Sequence, residues 1–327
     1  MRIMALLLLL IAAPCHGAEI SCAEYSSQHQ DRCETGLLKG EIVKADYERL
    51  RSFYRHYHPF LLRFALQSPG GDVEEAIKIG RLFRKYSLGV QAPDHSPFIA
   101  LKKGYWSRLS VLGSSTLLCR GCDCICASSC ALIWFGAPIR WGQVGLHRPV
   151  IENSSFKDST PAKAEEAYKS ALVLINSYLE EMEVPKVISD AMVSTSSAEI
   201  HWTAVEDYKT LAISPSFDEW IEANCGKFES KSEVSMQADL TIKKLDKNIS
   251  PVEEYLYGIL EEKSKQRYTC VRDLILSNRQ KIEPPSAIIS FNNMFDNIFR
   301  SRPKKDTEID LTRRHLEFAR HIADCEQ

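Results

Sequence analysis

The sequence predicts an α/β domain built on a largely parallel sheet, followed by a helical C-terminal region. Three observations carry this. Between residues 36 and 214, apolar runs of strand length alternate with amphipathic stretches of helical period. The turn "SPGG" (68–71) separates one such strand from the helix after it. Beyond Pro215 the strand signal stops and charge-rich sequence with a helical pattern takes over. With 327 residues there is length for one large domain or two ordinary ones.

The N-terminal "MRIMALLLLLIAAPCHGAEI" has one positive charge, Arg2, an apolar run from Met4 to Ala13, and then small residues. The run is too short to span a bilayer, which takes ~20 residues, and it suits the h-region of a secretory signal. Residues 1–18 are read as a signal peptide, with cleavage after Gly17 or at the neighbouring position after Ala18. Pro14, just before Cys15, weakens a lipoprotein reading. The expectation is an exported chain, periplasmic or secreted, with no membrane span in its mature part.

Cysteine usage agrees with export. Of 11 cysteines, removal of Cys15 leaves an even set, which in an exported chain reads as a disulfide framework. Cys22 with Cys33, and Cys225 with Cys270, are the local pairings expected. Residues 19–35 form a cysteine-tied segment before the domain. In "CRGCDCICASSC", Cys119, Cys122, Cys124, Cys126 and Cys130 are further disulfide candidates. Cys119 and Cys122 have a zinc-like spacing, but no second such pair follows at finger spacing, so no metal is expected. A bridge from Cys126 or Cys130 into the preceding insertion would fix the backbone of Ser128 between them.

The domain at 36–214 then unfolds in order. "LLKGEI" (37–42) reads as a strand, and "KADYERLRSFYRHY" (44–57) as a helix with Tyr47, Leu50 and Phe53 on one face, stopped by Pro59. "FLLRFALQ" (60–67) is an apolar strand, and "DVEEAIKIGRLFRKY" (72–86) a helix with acidic residues in its first turn. Residues 94–121 break the rhythm and read as an inserted loop. "CICASSCALIWFGAP" resumes as strand into helix, "WGQVGLHRP" (141–149) as a strand ending at His147, and 162–184 as a long helix. "SSAEIHWTAVEDYKTLAIS" (196–214) closes the domain. In the helical region 215–327, residues 251–280 make the clearest helix.

The formal net charge of -2 gives no electrostatic footprint for nucleic acid. Candidate chemistry lies in three short segments. In "SPGG" the glycines admit positive φ, and N–H groups at the start of the following helix are suited to an oxyanion. In "CASSCA" a serine at a strand-to-helix junction offers a hydroxyl beside a backbone N–H, although a serine there is equally suited to capping the helix. His147 supplies a histidine, the usual base for a serine nucleophile.

The order "LQSPGGDVEEAIKIGRLF", "CASSCALIWFGA", "VGLHRP" resembles the Clp protease proteolytic subunit family within the Clp/crotonase fold, from "GEI" (40–42) to about Ser214. The export signal and the cysteine-flanked "CASSCA" make the chain more similar to the exported Clp-like proteins. The resemblance implies repeated ββα units, Ser128 as nucleophile, His147 as general base and acid, and an oxyanion hole from Gly71 (or Gly70) and Ser129. It implies a peptide or protein substrate, a homo-oligomer and no cofactor. The family's triad aspartate corresponds to Glu199 in "SAEIHW", with Asp190 as a weaker substitute. The insertion at 94–121, the shorter Ser-to-His spacing and the 113 residues after Ser214 depart from the family. The alternative reading is a catalytically silent Clp-like scaffold that binds peptides or partner proteins.

Overall fold

The computed structural model describes residues 17–26, 31–93, 125–149, 160–203, 207–227 and 231–283. Cys119, Cys122, Cys124 and the insertion at 94–121 lie outside them. The protein is mixed α/β with a five-stranded sheet. Its strands are β1 (Glu19–Tyr25), β2 (Cys33–Lys39), β3 (Arg63–Gln67), β4 (Gly89–Gln91) and β5 (Ile139–Trp141), in that spatial order. β1 runs antiparallel to β2, and the other neighbours are parallel.

The expected tied loop at 19–35 is therefore an edge hairpin. Cys22 and Cys33, on opposite strands with Cα atoms 5.7 Å apart, are joined by a disulfide. Cys22 and Cys33 suggested a tied loop, whereas strand pairing from Glu19↔Lys39 to Tyr25↔Cys33 satisfies the backbone. The predicted strand at 37–42 is shifted accordingly. It ends at Lys39, because Gly40 turns the chain at φ 99°.

Parallel neighbours need crossover helices. Helix α1 (Asp46–Tyr57) links β2 to β3, and α2 (Val73–Lys85) links β3 to β4. The α2 start is capped by Asp72, whose carboxylate accepts the Glu75 N–H at 2.9 Å. Its apolar face buries Ala76, Ile77, Ile79 and Phe83, and the Phe83 ring stacks on Phe64 of β3 at 5.0 Å.

Helix α3 (Ser129–Gly136) is buried along its whole length. That explains its lack of amphipathic period, since it is enclosed on every side. It crosses α2 closely: a Cβ on Gly136 would lie 2.3 Å from the Gly80 Cα. The segment read as one strand at 141–149 is split. Gly142, at φ 82°, turns the chain between β5 and β6 (Gly145–Leu146), which pairs with β7 (His201–Trp202).

The expected long helix is present as α4 (Pro161–Glu181), and a further helix, α5 (Lys186–Ser194), follows with Pro185 before its first residue. Tyr178 of α4 donates its hydroxyl to the Leu132 carbonyl at 2.9 Å, fixing α4 on α3. A short helix α6 (Tyr208–Leu211) leads into α7 (Pro215–Cys225), then α8 (Lys231–Leu245) and α9 (Pro251–Ile282). The Cys225–Cys270 disulfide ties α7 to α9, as its spacing suggested.

The C-terminal helices pack on the sheet. Phe217, Ile221, Val271 and Ile275 form a cluster that includes Ile139 of β5 at its margin. Arg279 of α9 is buried against the amino ends of β3 and β4. It donates to the carbonyls of Tyr86, Ser87, Pro59 and Leu61 at 2.6 to 3.1 Å. Burial lowers its pKa to about 10, which still leaves it charged at neutral pH. Among the described residues, no helix is long and apolar enough to cross a membrane.

Candidate functional site

At the carboxyl end of β3 the chain leaves the sheet as Ser68-Pro69-Gly70-Gly71. Open α/β sheets place their ligand sites at this end of the strands. Ser68 pairs on both sides with the incoming 125–127 segment, donating its N–H to the Ile125 carbonyl at 2.7 Å and accepting from the Ala127 N–H at 3.1 Å. The Cys126 carbonyl in turn accepts from the Gly145 N–H at 2.9 Å. The three predicted motifs are thus brought into adjacent backbone segments.

Ser128 stands at the junction into α3 with φ 58° and ψ -125°. A non-glycine residue in that conformation costs on the order of 1–3 kcal/mol, which surrounding structure must offset. Two constraints do so. The Ser128 N–H donates to the Gly145 carbonyl at 3.0 Å, and a disulfide joins Cys126 to Cys130 across the turn. The expected bridge into the insertion is thus not formed by these two cysteines; they pair with each other. Both are fully buried.

The helix-capping alternative for Ser128 does not hold, because its side chain makes no cap hydrogen bond. The two serines differ sharply. Ser129 is buried and donates its hydroxyl to the Gly71 carbonyl at 2.6 Å. Ser128 is half-buried, and its hydroxyl has no partner among the described residues. A Cβ on Gly70 would lie 2.6 Å from the Ser128 Cβ and 3.0 Å from its Oγ, so only glycine admits the serine here.

The N–H groups of the turn divide in the same way. That of Gly70 donates to the Ser68 Oγ at 3.1 Å. Those of Gly71 and Ser129 have no acceptor among the described residues. Gly71, at φ 132°, is pinned by Ile42, whose N–H donates to the Gly70 carbonyl and whose carbonyl accepts from the Asp72 N–H, each at 2.8 Å. Among the described residues, the turn thus offers two N–H donors without acceptors and a hydroxyl without a partner, groups of the kind that can stabilise a developing oxyanion.

His147 is half-buried and follows Leu146 at the end of β6, two residues beyond the Gly145 carbonyl that holds Ser128. Its Nδ1 lies 2.8 Å from the Arg148 carbonyl. A carbonyl only accepts, so Nδ1 carries a proton, and in the neutral ring that leaves Nε2 as the nitrogen with the lone pair. Among the described residues no hydrogen bond joins His147 to Ser128. The Arg148 N–H is fixed to the Thr195 carbonyl at 3.0 Å.

Among the described residues, neither carboxylate expected to orient His147 makes a hydrogen bond to it. Glu199 is exposed, with no hydrogen bond from its carboxylate among the described residues. Asp190 is exposed and paired with Lys186 at 2.7 Å. The residues that hold the site without being foreseen are Ser68, Ile42 and two buried carboxylates, Asp46 and Glu75. Glu75 accepts from the N–H groups of Ala45 and Tyr47 at 3.1 and 3.0 Å and pairs with Lys78. Burial pushes its carboxyl up, but these donors together hold it below its ordinary value. The acidic first turn of α2 was read only as a dipole partner, and side-chain reach to a distant loop leaves no sequence signal. No protein-family model matches the chain, and no curated protein matches it.

Proposed function

We propose that the protein is an exported serine hydrolase, a peptidase, on a Clp/crotonase-like domain, with Ser128 as nucleophile and His147 as base. The observation that carries this is the strained, uncapped Ser128 beside the N–H groups of Gly71 and Ser129, which have no acceptor among the described residues. The three disulfides among the described residues fit an oxidising compartment.

In this reading the Ser128 Oγ attacks a carbonyl carbon while His147 Nε2 takes its proton. The oxyanion forms toward the Gly71 and Ser129 N–H groups. His147 then protonates the leaving amine, and water hydrolyses the acyl-enzyme by the same steps. The Arg148 carbonyl, rather than Glu199, fixes the imidazole tautomer, which makes the catalytic set a Ser-His dyad. A fluorophosphonate probe is expected to label Ser128 under oxidising conditions, with Ser128→Ala abolishing the label. No labelling of the folded, oxidised protein would reject the hydrolase.

A second reading, a silent scaffold, is favoured by a different feature. Val252, Tyr255, Leu256 and Ile259 form an exposed stripe on α9 at helical spacing, suited to a protein partner. The same labelling experiment separates the two.

A further inference from the structure

The segment that leads into β1 is held in place. Ala18 is fully buried, and its N–H donates to the Asp46 Oδ2 at 3.1 Å. Asp46 is itself fully buried, and its other oxygen accepts from Arg49 at 2.6 Å. The same Oδ2 accepts the Val43 N–H at 2.8 Å. Val43 adjoins Ile42, whose N–H and carbonyl hold Gly70 and Asp72 on either side of Gly71. A short relay thus runs from Ala18 through Asp46 and Ile42 to the turn that presents the Gly71 N–H.

We propose that cleavage of the Gly17–Ala18 peptide bond makes Ala18 the mature N-terminus, and that its new ammonium group pairs with Asp46 and sets the oxyanion turn. Hydrolysis by a signal-processing endopeptidase breaks the C–N bond. Water supplies the hydroxyl of the Gly17 carboxyl and a proton to the Ala18 amine, which is protonated at neutral pH. The cut precedes folding, because Ala18 ends up inaccessible. In the uncleaved chain the same nitrogen is a neutral amide and gives Asp46 one ordinary hydrogen bond. After cleavage it gives a charge-assisted one in a buried setting, where such bonds are stronger. Cleavage after Ala18 would remove the residue that occupies this site. The link to the oxyanion turn rests on the hydrolase reading; the ion pair does not.

The test uses the exported full-length protein. Intact-mass measurement is expected to find a chain beginning at Ala18, and a chain beginning at Glu19 overturns the proposal. A chain retaining His16 and Gly17 ahead of Ala18 keeps the fold but replaces the ammonium with an amide. Its melting temperature is expected to fall by about 5 °C or more relative to the Ala18 chain. Its fluorophosphonate labelling is expected to slow about tenfold or more, since one oxyanion donor is misplaced. Asp46→Asn in the Ala18 chain should lose the same stability, and the extension should then cost nothing further. Equal melting temperatures of the extended and Ala18 chains overturn the ion pair. A stability loss with unchanged labelling overturns its link to the turn. If the Ala18 chain is not labelled at all, the hydrolase reading fails, while the melting comparison still decides the ion pair.

Discussion

The two ends of the sheet are finished in opposite ways. At the amino ends of β3 and β4, Arg279 supplies donors to four carbonyls. At the carboxyl end, Ser128 is strained, its hydroxyl is uncapped, and the Gly71 and Ser129 N–H groups have no acceptor among the described residues. Backbone polar groups in folded proteins are nearly always paired. Paired groups add stability at the first end, and on the proposed reading the second end keeps its donors for a ligand.

The comparison can be broken most severely at Ser128. Ser128→Ala should lower hydrolysis by roughly 10⁶-fold while leaving the melting temperature unchanged or higher, as removal of a triad serine does in other hydrolases. A comparable rate in the variant, read from single-turnover kinetics, would remove the site from this end altogether. Gly70→Ala comes next. Its methyl would press on the Ser128 Cβ at 2.6 Å, and labelling should fall roughly 10²- to 10³-fold, the scale of a lost oxyanion donor. Circular dichroism should show the fold retained.

Arg279→Met attacks the opposite end. It strands buried carbonyls and should cost about 3–5 kcal/mol of stability in denaturant titration, because unpaired buried acceptors carry their full desolvation penalty. Labelling below the unfolding transition should stay as in the wild type. A variant that loses labelling but not stability would show that the two ends are not separate in role.

Acid should loosen the Arg279 end gradually. His58 there is pressed below its ordinary 6.5 by burial and by Arg279, despite its bond to the Glu283 carbonyl. Its ring faces Tyr54 and Tyr86, with Glu283 beside it. Burial pushes the Glu283 carboxyl up, but Tyr86, Arg55 and His58 hold it below 4.5. Both folded-state values are depressed, so each contribution is present above the unfolded value and fades as pH falls. The His58 part fades from about 6.5 downward and the Glu283 part below about 4.5. Melting temperature should drop between pH 8 and pH 5 in the wild type and drop less in His58→Gln. Equal slopes would remove His58 from this account. The smallest effect is expected from Glu199→Gln, less than about threefold on labelling, because only a group that contacts the base affects its orientation. A hundredfold loss would restore Glu199 as the group that orients His147.

Legibility in the sequence followed the range of the interaction. Strand β3, helix α2 and the turn between them were readable because apolar period, an acidic first turn and the paired glycines are local signals. The disulfides Cys22–Cys33 and Cys225–Cys270 were readable from proximity. The Cys126–Cys130 bridge was not, since a crowd of cysteines offers several partners and only the turn at Ser128 brings these two to a Cα separation of 5.2 Å. Ser128 was distinguished from Ser129 by the resemblance, and in the structure by the Gly71 carbonyl that engages the second hydroxyl. Asp46, Glu75 and Arg279 were not legible. Each bonds backbone groups far away in the chain, and no periodicity marks such partners.

The crossing of α2 and α3 has a consequence for the width of the site. One helix follows Gly71 and the other follows Ser128, so the gap between the two N–H groups depends on how closely the helices approach. At the crossing, Gly80 and Gly136 face each other with no room for a methyl on either, and the Tyr178 hydroxyl fills the space beside Gly80. The separation of the two donors is thus gauged from the rear of the molecule, by two side chains that are not there.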